Sequence, residues 1–275
     1  MLDVGYSIDY QYAIPTHSEF CYQNKDFFKD GMGIKKFILA FLSQINQMDN
    51  RIKASAQKLY DELVNKFGIK NKTGRINLTL GEISVRYNGR DAIGDLLQEW
   101  IGEWMKSKNY YYRTKANTQE FPDFLLSESN TSNFLEIKTF HAKASPAFDI
   151  ANFDSYCTSL LELPERIEAD YLILSYTMEK SKLEINDVWL KKIWEISSSS
   201  GPNPIKLQVK RGQIYNLRPC TWYSERLSYK PFNSKIGFLK ALSDTLPNYD
   251  QCKPYRNNWL EKVLNKYEEN TGVKL

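Results

Sequence analysis

Residues 169–177, Ala-Asp-Tyr-Leu-Ile-Leu-Ser-Tyr-Thr, constrain the fold of this chain more than any other stretch. A continuous apolar run of strand length predicts a central strand buried on both faces. The elements around it supply covering layers. A helix is expected from about Asp91 to Ser107, with Ile93, Leu96, Leu97, Trp100, Ile101 and Trp104 on one apolar face. Phe121–Ser127 and Ser132–Phe140 are two short apolar strands separated by a polar turn. Ile150–Leu163 reads as a helix ended by Pro164. Lys182–Ile185 predicts another strand, and Asp187 is placed to cap a helix through Ile196. A Ser/Gly/Pro-rich loop spans 197–204, and Leu207–Leu217 predicts a hairpin turning at Arg211-Gly212. Phe232–Leu246 and Asn257–Asn270 are closing helices. This order of helix, strands, helix, strand and helix defines an α/β class with a sheet between helical layers.

The N-terminal part reads differently. Residues 1–32 are aromatic and irregular, suggesting a loop-rich arm or early strands. From Ile34 to Phe67 the apolar residues recur at helical spacing between Gly33 and Gly68, predicting one long helix or two stacked ones. Gly74–Tyr87 suggests a strand or hairpin, and Tyr110–Thr114 a short strand. The expected division is an arm and helical region at 1–88, used for packing or dimerisation, and a core at 89–275.

Four scattered cysteines, Cys21, Cys157, Cys220 and Cys252, form no CxxC pair, which argues against a zinc knuckle or a disulfide scaffold. The N-terminus lacks the basic and apolar regions of a signal peptide, and no apolar run approaches membrane-spanning length. These features point to a cytoplasmic, reduced protein with no membrane partner. Net charge is only +4, but residues 205–240 hold eight Lys/Arg against Glu225 alone. That local +7 leaves −3 for the rest of the chain, a distribution suited to a face that binds a polyanion.

The chemistry concentrates in Phe121-Pro-Asp-Phe-Leu-Leu and Asn133-Phe-Leu-Glu-Ile-Lys-Thr. Glu136 and Lys138 are two apart on one strand, so both project from one face while Ile137 turns into the core. A hairpin with the preceding strand brings Asp123 beside Glu136. Two carboxylates and a backbone carbonyl, that of Ile137, suit a hard ion such as Mg²⁺. Such an ion activates water, and Lys138 can orient that water and balance the charge of the transition state. The reaction implied is in-line attack of water on a phosphodiester.

Pro122-Asp123 and Glu136-Ile137-Lys138 resemble the signature of the PD-(D/E)XK nuclease superfamily. From Thr139 to Phe153 the chain is similar to type II restriction endonucleases of the HincII and NgoBV kinds, with Ser145–Phe153 closest to the NgoBV kind. The resemblance extends over about Asp91–Leu242. It implies a restriction-endonuclease-like central mixed β-sheet flanked by helices, with a helical N-terminal arm. It also implies a homodimer that cuts double-stranded DNA at a short palindromic site, GGNNCC for the NgoBV kind. Relatives often carry a further acid or amide on the preceding helix, a role open here to Gln98 or Glu99. Many have Glu at the position where this chain has Gln98.

His141 and Lys143 directly follow the Asp/Glu/Lys strand and are candidates for backbone phosphates. Ser145, Asn152 and Asp149 could position or read DNA, although Ser145 or Asp149 also suits a helix cap. In the basic segment Lys210, Arg211 and Arg218 are the expected DNA contacts. Trp222 and Tyr223 read as core or as stacking residues. Other readings are a structure-specific repair or junction nuclease, a non-catalytic nucleic-acid-binding module of the same fold, and a protein-interaction domain.

Overall fold

Ten-residue strand β7, Asp170–Glu179, is the buried strand expected from the apolar run, and the molecule is built outward from it. A computed structural model describes residues 49–89, 91–115, 117, 120–201 and 203–275. The expected irregular arm at 1–32 and the first part of the expected 34–67 helix lie outside the described residues. Arg51–Leu275 form one compact unit.

Its central sheet has the order β1-β8-β7-β5-β4. The strands are β1 (Thr73–Gly74), β4 (Phe124–Leu125), β5 (Phe134–His141), β7 and β8 (Lys182–Lys192). β5 and β7 run parallel and the other pairs antiparallel, so the sheet is mixed. Two smaller sheets flank it. β2 (Asn77–Leu80) and β3 (Ile83–Arg86) form a hairpin that leaves Leu78, Leu80, Ile83 and Val85 exposed. β6 (Ala151–Asn152), β10 (Gln213–Leu217) and β9 (Leu207–Lys210) form the third sheet. The β9–β10 turn falls at Arg211-Gly212, where φ is positive at both residues, as a two-residue hairpin requires.

Alternation along β5 and β7 sorts side chains into two cores. Leu135, Ile137, Leu172 and Leu174 pack with α1 (Ala56–Asp61), the turn that follows it, and α2 (Ile93–Ser107), through Leu59, Leu63, Ile93, Leu97 and Ile101. Phe134, Phe140, Tyr171 and Ile173 pack on the other side with α3 (Phe153–Glu162), α5 (Lys235–Thr245) and α6 (Trp259–Thr271). α3 and a 3-10 turn at Pro164–Glu168 lie in the crossover that a parallel β5–β7 pair needs.

Three expected elements differ. Asp187 caps no helix: β8 continues to Lys192, and only the four-residue α4 (Ile193–Ile196) follows. A register shift explains why the strand was hidden. Tyr176 pairs with Ile185 but Ser175 with Asp187, so Asn186 is an extra residue. The buried positions then switch from Leu183 and Ile185 to Val188, and the period-2 signal breaks at that point. The expected 34–67 helix does not run through 49–55. Ile52 instead bridges Tyr110, with Tyr111 N–H donating to Ile52 O at 2.9 Å. Among the described residues, helix starts after Ser55, whose side chain accepts from Lys58 N–H, and α1 passes into a π turn at Glu62–Lys66. Tyr110–Thr114 is no strand; it makes single bridges, Tyr110 to Ile52 and Arg113 to Leu125. Among the described residues no helix is long and apolar enough to cross a membrane.

Candidate active site

The site grows from the pairing of β4 with β5. Phe124 stands opposite Leu135 and Leu125 opposite Phe134, so one step along the ladder sets Asp123 beside Glu136. Ile137 N–H donates to Asp123 Oδ2 at 2.6 Å, and Asp123 N–H donates to Glu136 Oε2 at 3.3 Å. Lys138 Nζ donates to Glu136 Oε1 at 2.9 Å, with both side chains largely buried. The three residues singled out in the sequence therefore form one bonded cluster.

Its electrostatics are set by burial and by like charge. Burial pushes the Asp123 carboxyl up to about 7, and the neighbouring Glu136 adds to the rise; the Ile137 N–H and Lys138 oppose it. Asp95, in the first turn of α2, contributes a further upward push. Burial pulls the Lys138 ammonium down, but Glu136 and Asp123 outweigh it, with Asp149 adding to the rise, so the net shift is upward.

Such a cluster fits a hard divalent cation. Two carboxylates meet in a buried setting where their repulsion is poorly screened, and a bound cation would relieve it. Asp123 Oδ1 accepts no hydrogen bond among the described residues. Those residues contain no group of three or more His, Cys, Asp or Glu side chains arranged to hold a metal. An ion held here would take the carboxylate pair and complete its shell from the Ile137 carbonyl and water.

Gln98 and Glu99 line a cleft of about 230 Å³ with Pro122, Asp123 and Phe124. Glu136 and Lys138 are not part of that lining. The N-terminal end of α2 lies close to β5, since a Cβ on Gly94 would sit 3.4 Å from Thr139 Oγ1. Asp95 precedes Gln98 and Glu99 by one turn and is the helix acid that acts on Asp123. Sequence reasoning passed over it, although its spacing from Gln98 and Glu99 was the available signal. Two further contacts are also absent from the sequence reading. Asp149 acts on Lys138. Arg166 lies with its guanidinium carbon 4.1 Å from the Phe121 ring centre and 4.9 Å from that of Tyr156, next to the Pro122-Asp123 turn. No residue spacing announces either contact.

The polyanion candidates divide. His141 meets the Tyr176 ring edge-on, and its Nδ1 accepts from Lys143 N–H at 3.3 Å. Lys143 Nζ pairs with Glu179 at 2.5 Å, and Ser145 is exposed. Asn152 is the cap of α3, accepting from Ser155 N–H at 3.0 Å; neither Ser145 nor Asp149 takes that role. Asp149 instead forms an ion pair with Arg218. The pairing of β6 with β10 sets Asn152 opposite Asn216 and Ala151 opposite Leu217, which joins the segment after β5 to the basic hairpin. Lys210 and Arg211 stand exposed at the hairpin turn.

A bonded Asp/Glu/Lys cluster at the start of one strand and along its neighbour in a mixed sheet can organise metal-assisted attack of water on a phosphodiester, the equipment of a nuclease. Residues 53–275 match the family described as NgoBV restriction endonuclease. The type II restriction enzyme NlaIV of Neisseria lactamica is 34% identical over 221 residues, 79% of this chain and 91% of that protein. The type II restriction enzyme NgoBV of Neisseria gonorrhoeae is 33% identical over 163 residues, 58% of this chain and 92% of that protein. A solved structure of NlaIV restriction endonuclease superposes with a TM-score of 0.77 at 32% identity, covering 82% of this chain and 92% of that one. This chain belongs to the NgoBV restriction endonuclease family. The match takes in residues 53–90 and 243–275 as well as the Asp91–Leu242 stretch read from the sequence.

Proposed function

We propose that this chain is a type II restriction endonuclease that hydrolyses both strands of duplex DNA at a short palindromic or pseudopalindromic site. The observation that carries the proposal is the contact of Asp123, Glu136 and Lys138, within 2.6–3.3 Å through side chain and backbone, in a chain of restriction-enzyme lineage.

In this reading Asp123, Glu136 and the Ile137 carbonyl hold Mg²⁺. When bound, the ion polarises a phosphate oxygen and lowers the pKa of a water. The chain's own part is orientation. Ile137 N–H fixes the Asp123 carboxylate and leaves its second oxygen available. Glu136 tethers Lys138, whose raised affinity for its proton keeps it a cation that donates to the attacking water and to the charged phosphate. Gln98 and Glu99 reach the same reaction from the α2 side, through the cleft they share with Asp123. His141, Lys143, Ser145, Asn152, Lys210, Arg211 and Arg218 hold the DNA, mostly by phosphate contacts. For Lys143 and Arg218 a phosphate replaces the carboxylate of Glu179 or Asp149.

A palindromic site calls for a two-fold assembly, so the working form is a homodimer, with residues 1–88 supplying the dimerisation region and 89–275 the nuclease core. The site expected from the family resemblance is GGNNCC. The test is digestion of a plasmid of known sequence with Mg²⁺, followed by sequencing of the ends. Discrete fragments whose ends all fall in GGNNCC are expected. A smear of ends refutes the site-specific reading, and binding without any cleavage favours a non-catalytic DNA-binding protein.

A further inference from the structure

The small sheet β6-β10-β9 has one face in the core and one face outside it. Ile214 and Leu217 of β10 are buried. Val209 stands opposite Ile214 and Leu207 opposite Leu217, so these four side chains share the inner side. Between the two pairs β10 holds Tyr215 and Asn216 against Gln208 alone on β9. This is a β-bulge, and it leaves Tyr215, Asn216 and Gln208 all on the outer side. None of the three is buried. On the other edge of β10, Asn152 of β6 stands opposite Asn216 and is exposed.

A row of amides therefore crosses the three strands on the outer face, Asn152, then Asn216, then Gln208. Asn216 Nδ2 donates to Gln208 Oε1 at 3.2 Å. Among the described residues Asn216 Oδ1 and Gln208 Nε2 make no further hydrogen bond. The linked pair thus presents one acceptor and one donor in a fixed order. Cations border the row. Lys210 and Arg211 are exposed at the hairpin turn, and Lys210 Nζ lies 5.4 Å from the Tyr215 ring centre. At the other end Arg218, the residue after β10, pairs with Asp149, whose charge acts on Lys138. That contact ties this end of the sheet to the Asp/Glu/Lys cluster.

We propose that Gln208 and Asn216 are specificity-determining residues, which together read one base pair of the substrate DNA from its major groove while Lys210 and Arg211 hold the flanking phosphates. A two-stranded ribbon such as β9–β10 fits that groove, which is about 12 Å wide. Each base pair shows there its own order of donors and acceptors on an edge that is open in an intact duplex, so an amide pair of fixed order matches some pairs and opposes others. The bulge matters because it sets two residues of β10 against one amide of β9, and the hydrogen bond between the amides holds them in that order before DNA arrives. Cations at the rim supply position and amides between them supply selectivity, the division of labour expected of a DNA-reading face. Residues 205–240, with eight Lys/Arg against Glu225 alone, carry the charge that complements the duplex.

The proposal rests on the restriction-enzyme reading for its substrate, so selection by binding is measured apart from cleavage. A pool of duplexes with a randomised central block is bound by the wild type with Ca²⁺ in place of Mg²⁺, and the bound fraction is sequenced. The wild type should select a defined site. Affinities for that site and for each of its single-pair substitutions then give a discrimination ratio at every position, for the wild type, Gln208→Ala, Asn216→Ala and Gln208→Glu. In both Ala variants the ratio should fall by about 10- to 100-fold at one position and its symmetry mate, and hold at the others. Gln208→Glu keeps the shape and removes the donor, so it should lower the same ratio even if an Ala variant fails to fold. The slope of log affinity against log salt should match the wild type in both Ala variants, because no charge is removed. Ratios unchanged at every position overturn the proposal, as does affinity lost equally for all duplexes, the mark of a merely structural role. A wild type that selects no site also overturns it. If the wild type selects a site but cuts nothing in Mg²⁺, the nuclease reading fails, while the ratios still decide whether these amides read bases.

Discussion

Replacing Asp123 by Asn should stabilise the metal-free protein, by an amount that grows with pH. The carboxyl titrates near 3.8 in an unfolded chain and near 7 in the fold, chiefly because it is buried and then because Glu136 lies beside it. Below pH 3.8 both states hold the proton and the carboxyl costs the fold nothing. As pH rises from there the folded chain retains a proton that the unfolded chain has released, so stability falls. Above about 7 both states are ionised and the full cost, about 4 kcal/mol, is present. Asparagine is neutral throughout and still accepts from Ile137 N–H through its carbonyl oxygen. The stability advantage of Asp123→Asn should therefore grow by about 2–3 kcal/mol between pH 5 and pH 8. Urea unfolding in a chelator at several pH values measures the difference. Adding Mg²⁺ at pH 8 should raise wild-type stability by mass action and raise that of Asp123→Asn much less. A difference that is flat, or that shrinks as pH rises, refutes the reading that the fold holds the Asp123 carboxyl buried beside a second carboxylate.

Three further outcomes follow from the same structure. Lys138→Met should reduce single-turnover cleavage by about 10²–10³-fold while leaving DNA affinity within a small factor, since Lys138 is buried against Glu136 and not on an exposed phosphate-binding face. Arg218→Ala should weaken DNA binding and lower the salt slope by about 1; Asp149→Asn, which releases Arg218 from its ion pair, should tighten binding in the same titration. Trp259→Ala should lose about 3–5 kcal/mol in urea unfolding, because the ring is buried and its Nε1 donates to Cys157 O at 2.8 Å; Trp259→Phe should retain much of that stability.

The legible parts of the fold were those with a local cause. The apolar run at 169–177 marked β7, the Arg211-Gly212 pair marked its hairpin, and the periodic face of 91–107 marked α2. The Glu136-Ile137-Lys138 spacing was legible because strand period alone fixes which side chains share a face. What escaped depended on partners distant in the chain. The bulge at Asn186 is set by pairing with Ser175, whose hydroxyl accepts from Asp187 N–H at 3.0 Å. Ile52 continued a helical pattern, yet its backbone pairs with Asn109 and Tyr111 across more than fifty residues. Asp149 gives up its expected capping role because Arg218 lies close once β6 and β10 pair. Asp95 was within reach of sequence reasoning. It lies one turn before Gln98 and Glu99, on the same helix, but outside the position where the family pattern places its extra acid or amide.

We propose that Asp123, Glu136 and Lys138 together hydrolyse DNA with a divalent cation. The most direct test follows a single plasmid incubated with wild type, Asp123→Ala, Glu136→Ala and Lys138→Ala, each with Mg²⁺ and with chelator, alongside a binding measurement on the same preparations. The wild type should give discrete fragments only with Mg²⁺, and each variant should bind DNA and leave it intact. Discrete fragments from any of the three variants at the wild-type rate, or from the wild type in chelator, would contradict the account.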